Sequence, residues 1–222
     1  CIPGLNLPCQ RVIQSAEGMG MAPTVTAEEI AILAREGVKK FPKGTELYIC
    51  PMFYPDGGFI VPDPASTQFL LHISVSPLPV PDGFSACQTR FRRPAREMAP
   101  TEAKASCLYP NVARGISEAN AKGFDVAVVL DPNGNVAEFS YTNLFMAKDG
   151  IIHTPGTNGT FLNGITRQRT IQLLRQGGYE VMERAIAYEE LLDADELFGT
   201  GNYAKVSPCT RIEVRELHPG PI

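Results

Sequence analysis

The sequence predicts an α+β fold, and three observations predict it. Residues 125–131 form an apolar run that Pro132-Asn133-Gly134 turns back onto residues 136–139, a hairpin signature. Residues 143–147 and 151–154 repeat the arrangement across Asp149-Gly150. Helical periodicities fall between such hairpins rather than after every strand, so the regular alternation of a doubly wound parallel sheet is absent. Neither G-x-G-x-x-G nor G-x-x-x-x-G-K-[ST] occurs, which removes the dinucleotide and P-loop readings.

The elements follow in order along the chain. Thr26-Ala27-Glu28-Glu29 is a capping box. It opens a helix with Ile30, Leu33, Ala34 and Val38 on one face, stopped by Pro42 and Gly44. Residues 46–53 and 68–75 read as strands. The stretch from Pro77 to Gly83 holds three prolines, which suit neither helix nor central strand, and its stiffness marks a domain junction. The expected domains are residues 1–80, the remainder of a small α+β domain, and residues 84–222. In the second, Val112, Ile116 and Ala119 mark a helix ended by Gly123. Another runs from 166 to 176 with Ile171, Leu173 and Leu174 inward and Gly177-Gly178 as its stop. A short helix near 189–192 and strands near 196–198 and 205–206 complete the pattern, without an internal repeat.

Composition excludes several classes. With 222 residues, 44% hydrophobic and 20% charged, the chain is an ordinary globular protein. Its net charge of −4 gives no basic face for nucleic acid. No apolar run approaches the roughly 20 residues of a membrane span. The six cysteines (Cys1, Cys9, Cys50, Cys87, Cys107, Cys209) are scattered, without C-x-x-C pairs or nearby histidines, so no metal site is expected. Reduced thiols in a cytoplasmic protein are the simplest account. His72, His153 and His218 stand alone, and no Ser or Cys has a nucleophile setting such as G-x-S-x-G.

Four features carry chemistry. Lys104 sits among small and apolar neighbours, Ala103-Lys104-Ala105-Ser106-Cys107-Leu108. Desolvation there leaves a neutral amine able to bond a carbonyl carbon, although a solvated lysine has the same spelling. Gly164-Ile165-Thr166 opens a helix, where backbone N–H groups and a hydroxyl make a phosphate site or a plain cap. Glu138, on a strand between apolar residues, needs a partner if it points inward. Gly201-Asn202 is a turn suited to close backbone approach to a ligand, or a simple hairpin.

The order of these features is specific where each alone is not. It runs K-x-x-x-x-Y (Lys104, Tyr109), A-x-x-x-G-F-D (Ala119 to Asp125), A-E-x-x-x-x-N-L-F (Ala137 to Phe145) and K-D-G (Lys148 to Gly150). T-P (Thr154, Pro155), L-N-G-I-T-R (Leu162 to Arg167), A-D-E (Ala194 to Glu196) and Gly201-Asn202 follow. This series resembles the fold-type IV pyridoxal-phosphate enzymes, most closely the branched-chain amino-acid aminotransferases and related amine and D-amino-acid transaminases. The likeness is near-continuous from about residue 86 onward and weaker over 7–75. It implies that Lys104 holds pyridoxal 5'-phosphate covalently and shuttles the proton at the substrate Cα. It also implies that Tyr109 bonds the cofactor's phenolic oxygen and that Glu138 keeps the pyridine nitrogen protonated. Arg11, in Arg11-Val12-Ile13-Gln14-Ser15-Ala16, matches the family's phosphate-binding arginine, joining Gly164, Ile165 and Thr166. Gly201 and Asn202 would lie over phosphate and substrate carboxylate, with Tyr48 toward the substrate. The implied reaction exchanges an amino group between a branched-chain-type amino acid or an amine and a 2-oxo acid such as 2-oxoglutarate. A homodimer is implied as well.

The chain departs from the family pattern in places. Relatives carry a further segment before the stretch that begins here at Cys1, so the N-terminal domain is expected to be truncated. Pro8 stands where a histidine is usual, and the chain ends at Pro221-Ile222 before a short helix expected of relatives. In Tyr48-Ile49-Cys50-Pro51, Cys50 replaces a common arginine, removing a bidentate carboxylate clamp. Asn202 replaces a threonine and keeps a hydrogen-bonding side chain. Two alternatives remain: a lyase of the aminodeoxychorismate type on the same scaffold, and a catalytically impaired binding remnant.

Overall fold

The computed structural model describes residues 4–80 and 82–220; Cys1, Pro81 and Pro221-Ile222, named above, lie outside them. The chain divides into two compact units, Cys1–Leu78 with Glu102–Ala105, and Pro79–Thr101 with Ser106–Ile222.

The first unit contains α1 (Asn6–Gly18), α2 (Ala27–Val38), β1 (Leu47–Pro55) and β2 (Thr67–Val75). The capping box forms as expected: the Glu29 N–H donates to Thr26 Oγ1 at 3.2 Å, and the Thr26 N–H to Glu29 Oε2 at 2.7 Å. The buried stripe of α2 is Ile30, Ala31 and Ala34. Leu33, expected on that face, is exposed. The reason is close packing on β2: a Cβ on Gly37 would fall 2.3 Å from Ile73 Cδ1. The small residues set the phase, and Leu33 lies about a quarter-turn away from it. No helix was expected over α1; it carries no side-chain cap and folds by burying Cys9, Ser15 and Ala16.

Strands β1 and β2 pair antiparallel, with Cys50 opposite His72 and Phe53 opposite Phe69. Their inward residues Ile49, Phe53, Phe69 and Leu71 pack against the helix residues Ile30, Ala31 and Ala34. Tyr48, Met52, Tyr54 and Leu70, of opposite parity, stand exposed on the other face. Between the strands, an isolated bridge from Gly58 to Pro62 closes a tight loop. At its tip Phe59, Ile60 and Val61 are 99%, 87% and 77% exposed.

The second unit is built on β3 (Phe84–Arg92), α3 (Tyr109–Ala121), β4 (Val126–Leu130), β5 (Val136–Phe139), β6 (Asn143–Lys148) and β7 (Ile151–Pro155). After these come α4 (Ile165–Gln176), β8 (Glu180–Arg184), α5 (Tyr188–Leu192), β9 (Glu196–Gly201), β10 (Lys205–Ile212) and β11 (Arg215–Glu216). The strands make one mixed sheet ordered β5-β4-β3-β10-β9-β6-β7-β8, with β11 on β10. Both expected hairpins form, β4 with β5 and β6 with β7. Asp149 and Gly150 take φ of 51° and 78°, the left-handed pair that a two-residue hairpin turn requires. Strands β3, β8 and β11 were not expected from the sequence, and β10 is much longer than the expected 205–206.

One face of the sheet buries Val128, Phe139, Leu144, Met146 and Leu197 with Leu191 of α5. On the other, α3 covers Cys87 and Ala127 through Ala119. Helix α4 covers Phe145, Ile152 and Phe198 through Ile171 and Leu174. The Phe145 and Phe198 rings stack at 4.9 Å. Leu173, expected inward, is exposed. The inward stripe of α4 is buried Arg167 and Ile171 with half-buried Leu174, spaced i, i+4, i+7, and it is anchored by an arginine that a search for apolar periodicity passes over.

Candidate active site

In the first unit, the structure brings α1 and the lysine segment together. Lys104 donates its backbone N–H to Ser15 Oγ at 3.0 Å. Ser15 is buried and lies one helical turn beyond the half-buried Arg11. Ala103 is buried, whereas the Lys104 side chain is exposed. The small neighbours therefore seat the backbone and do not enclose the amine as the sequence suggested. Tyr48 stands on the open face of β1, and Cys50 shares its parity.

In the second unit, Tyr109 is the first residue of α3 and is half exposed. Glu138, on β5, is buried and pairs with Val129 of β4, on the face that carries Ala127. Its Oε1 lies 3.4 Å from Arg93 Nε. This decides between the inward and outward readings of Glu138: the carboxylate is buried and paired.

Gly164 is the N-cap of α4, and no side chain caps that end. The helix start rests on β6: Asn143 donates Nδ2 to the Leu162 carbonyl at 2.9 Å, and a Cβ on Gly164 would fall 2.2 Å from Asn143 Oδ1. A side chain there would force the Asn143 amide to shift. Asn143 pairs across the sheet with Thr200. Thr200 is 1% exposed, and its Oγ1 has no hydrogen-bond partner among the described residues. A buried, unsatisfied hydroxyl beside an uncapped helix N-terminus is an arrangement that an anionic oxygen would complete. Gly201 ends β9, and Asn202 follows it in an exposed turn where both Asn202 O and Oδ1 accept from Lys205 Nζ.

Arg93, Asn143, Thr200 and Ser15 were not assigned roles in the sequence. Arg93 had one faint signal, its place as the second of two consecutive arginines. Thr200 and Asn143 had none, because cross-strand neighbours leave no trace in spacing.

Burial shifts two further groups, His153 and Cys209. His153 Nδ1 accepts from Arg184 Nε at 3.1 Å, and burial followed by that guanidinium pushes the imidazole below the usual histidine range. Burial pushes the Cys209 thiol up to about 12. The five described cysteines are free. Among the described residues no group of His, Cys, Asp or Glu could hold a metal ion, and no helix is long and apolar enough to cross a membrane. A cavity of about 380 Å³ between α4, β9 and β10 is lined by Leu173, Leu174, Tyr179 and Phe198, and none of the expected site residues borders it.

A family model described as amino-transferase class IV matches residues 2–212. The branched-chain-amino-acid aminotransferase of Pseudomonas aeruginosa is 31% identical over 97% of this chain and 72% of its own length. That of Escherichia coli K12 is 32% identical over 96% and 72%. Among solved structures, an aminotransferase from Brucella abortus bound to the cofactor PLP superposes with a TM-score of 0.97 at 47% identity, covering 98% of this chain and 79% of that one. A branched-chain aminotransferase from Thermoproteus uzoniensis with norvaline gives 0.88 at 33% identity, covering 98% and 74%. With the mixed sheet, the glycine-started α4 and the buried Glu138 in place, the chain belongs to the class IV aminotransferases, the fold-type IV enzymes that its motif series resembles.

Proposed function

We propose that this chain transfers amino groups between a branched-chain-type amino acid or an amine and a 2-oxo acid such as 2-oxoglutarate, with pyridoxal phosphate as its cofactor. The observation that carries the proposal is Glu138, a carboxylate buried on β5. Arg93 already meets this buried charge, and a carboxylate has acceptor capacity for more than one donor, so a protonated pyridine nitrogen can share it. Two further features fit the group: the Thr200 hydroxyl and the glycine-started, uncapped end of α4, which suit a phosphate.

In this reading Arg11, Ile165 and Thr166 hold the phosphate, with Gly164 admitting it to the backbone. Tyr109 donates to the phenolic oxygen, and Glu138 holds the proton on the ring nitrogen. Lys104 carries the cofactor and moves the proton at the substrate Cα. Gly201, Asn202 and Tyr48 line the substrate side. Cys50 offers no bidentate clamp for a carboxylate there, which weakens the case for an α-amino-acid donor and keeps a simple amine among the donors. When bound, pyridoxal phosphate supplies an electron sink for charge developing at Cα.

The test is to titrate the purified chain with pyridoxal phosphate. A visible absorption band should develop, and 2-oxoglutarate-dependent turnover should follow with leucine, a D-amino acid or a simple chiral amine. A chain that gives neither band nor turnover with any of the three donors sinks the reading.

We also propose that the chain acts as a homodimer, in the cytoplasm, where its thiols stay reduced. Phe59, Ile60 and Val61, consecutive and exposed on a hydrogen-bonded loop, are the surface that a second copy would cover. Light scattering is expected to give a dimer mass for the parent chain and a monomer mass for the double variant Phe59→Ser, Val61→Ser. A parent chain that is monomeric at assay concentration overturns the dimer.

A further inference from the structure

We propose that Arg93 is the positioning residue for Glu138: it fixes the carboxylate and draws off part of its charge, and so sets where the ring-nitrogen proton resides. The inference rests on the assignment of Glu138 to that nitrogen and goes beyond it.

The geometry is that of a built site. Arg93 directly follows β3, and its backbone N–H donates to the Leu130 carbonyl at 2.8 Å, extending the β3–β4 pairing by one bond. Its backbone position is therefore set by the sheet. Its Nε donates to the Thr160 carbonyl at 2.9 Å and lies 3.4 Å from Glu138 Oε1. The two side chains are 8% and 10% exposed, so water contributes little.

The Thr160 carbonyl is itself held. Thr160 donates its N–H and Oγ1 to Asn158 Oδ1 at 3.1 and 2.7 Å. Asn158 donates Nδ2 to Asp131 Oδ2 at 2.8 Å. Asp131, fully buried after β4, accepts from the N–H groups of Asn133 and Asn135 at 2.9 Å each. A continuous polar chain thus runs from the β4–β5 turn through the 158–160 loop to Arg93 and Glu138. Each link restrains the next, which is how outer residues fix the orientation of an inner one.

Stability alone does not account for this pair. A buried ion pair seldom stabilises more than apolar residues of the same size would. Its chemical consequence is specific. A guanidinium beside a carboxylate favours the ionised form and lowers its affinity for a proton. Glu138 can then accept a hydrogen bond from a protonated ring nitrogen without taking the proton itself. Without Arg93 the buried carboxylate becomes the better base, and the shared proton moves from nitrogen to oxygen.

The experiment uses holoenzyme loaded with pyridoxal phosphate labelled with nitrogen-15 in the ring, and compares the parent chain with Arg93→Met, Arg93→Lys and Glu138→Gln. In the parent chain the ring resonance should sit at the pyridinium position. In Arg93→Met it should move toward the neutral-pyridine position, and in Arg93→Lys part of the way. Cofactor affinity should weaken by about tenfold to a hundredfold in Arg93→Met, the size of one charge-assisted hydrogen bond. If Arg93→Met does not fold, Arg93→Lys decides: an unmoved resonance overturns the proposal. A resonance that moves in Glu138→Gln and not in the Arg93 variants overturns the role of Arg93 alone. One that stays put even in Glu138→Gln overturns the assignment of Glu138 beneath it.

Discussion

Lys104→Ala is expected to remove the visible absorption of the cofactor-loaded protein and to lower kcat by about 10⁴-fold or more, because in the proposed function one amine supplies both the covalent link and the proton shuttle. The fold should hardly notice. The side chain is exposed, while the segment is anchored by the bond from the Lys104 N–H to Ser15 Oγ and by buried Ala103, both of which alanine preserves. Exposed substitutions of this kind change stability by about 0.5 kcal/mol or less. Intact melting with lost turnover is thus the expected pair of results. Added methylamine should restore a measurable part of the rate, since it can serve as a free proton carrier. A variant that keeps its band and still transaminates would remove Lys104 from the mechanism.

Arg167→Ala is expected to destabilise the second unit by about 2–4 kcal/mol, the cost of a void and of buried acceptors left without their donor. Arg167 is 1% exposed. Its Nη1 donates to Asn163 Oδ1 at 2.9 Å, and its Nη2 donates to the Pro155 carbonyl at 3.0 Å and to Glu183 Oε2 at 2.9 Å. The residue therefore ties the first turn of α4 to the ends of β7 and β8. Alanine leaves acceptors without their donor and a void beneath the helix. Urea unfolding should show a lower midpoint at unchanged slope. Arg167→Met, which refills the volume, should recover part of the loss. Because Arg167 follows Thr166 directly, cofactor affinity should fall in the alanine variant as well. A loss below about 1 kcal/mol, typical of a surface ion pair, would mean that this network does not hold the helix.

Much of the architecture was legible because its signals are local. The Thr26–Glu29 box, the Asp149-Gly150 turn and the Gly177-Gly178 stop each act over a few residues, and each forms where expected. The phases of α2 and α4 were misjudged at Leu33 and Leu173 for one reason: the buried stripe is set by what the helix packs on. A close glycine contact sets it for α2 and a buried arginine for α4, and neither counts as apolar. Strands β3 and β8 were missed because each gains its partner from a distant segment, β3 from β4 and β10 and β8 from β7, in parallel pairings that no turn announces.

The site divides along the same line. The order of Lys104, Tyr109, Glu138, Gly164-Ile165-Thr166 and Gly201-Asn202 was readable because it follows the family's motif series along the chain. The sequence by itself determined the family and the α+β class, and it nominated the residues that the proposed function uses. Only the tertiary structure decided that Glu138 is buried and paired with Arg93, that Thr200 and Asn143 lie under the start of α4, and that Ser15 seats the Lys104 backbone. These contacts join residues 45 or more positions apart, or cross between strands. Their energies come from desolvation and hydrogen-bond geometry, which exist only once the chain has folded.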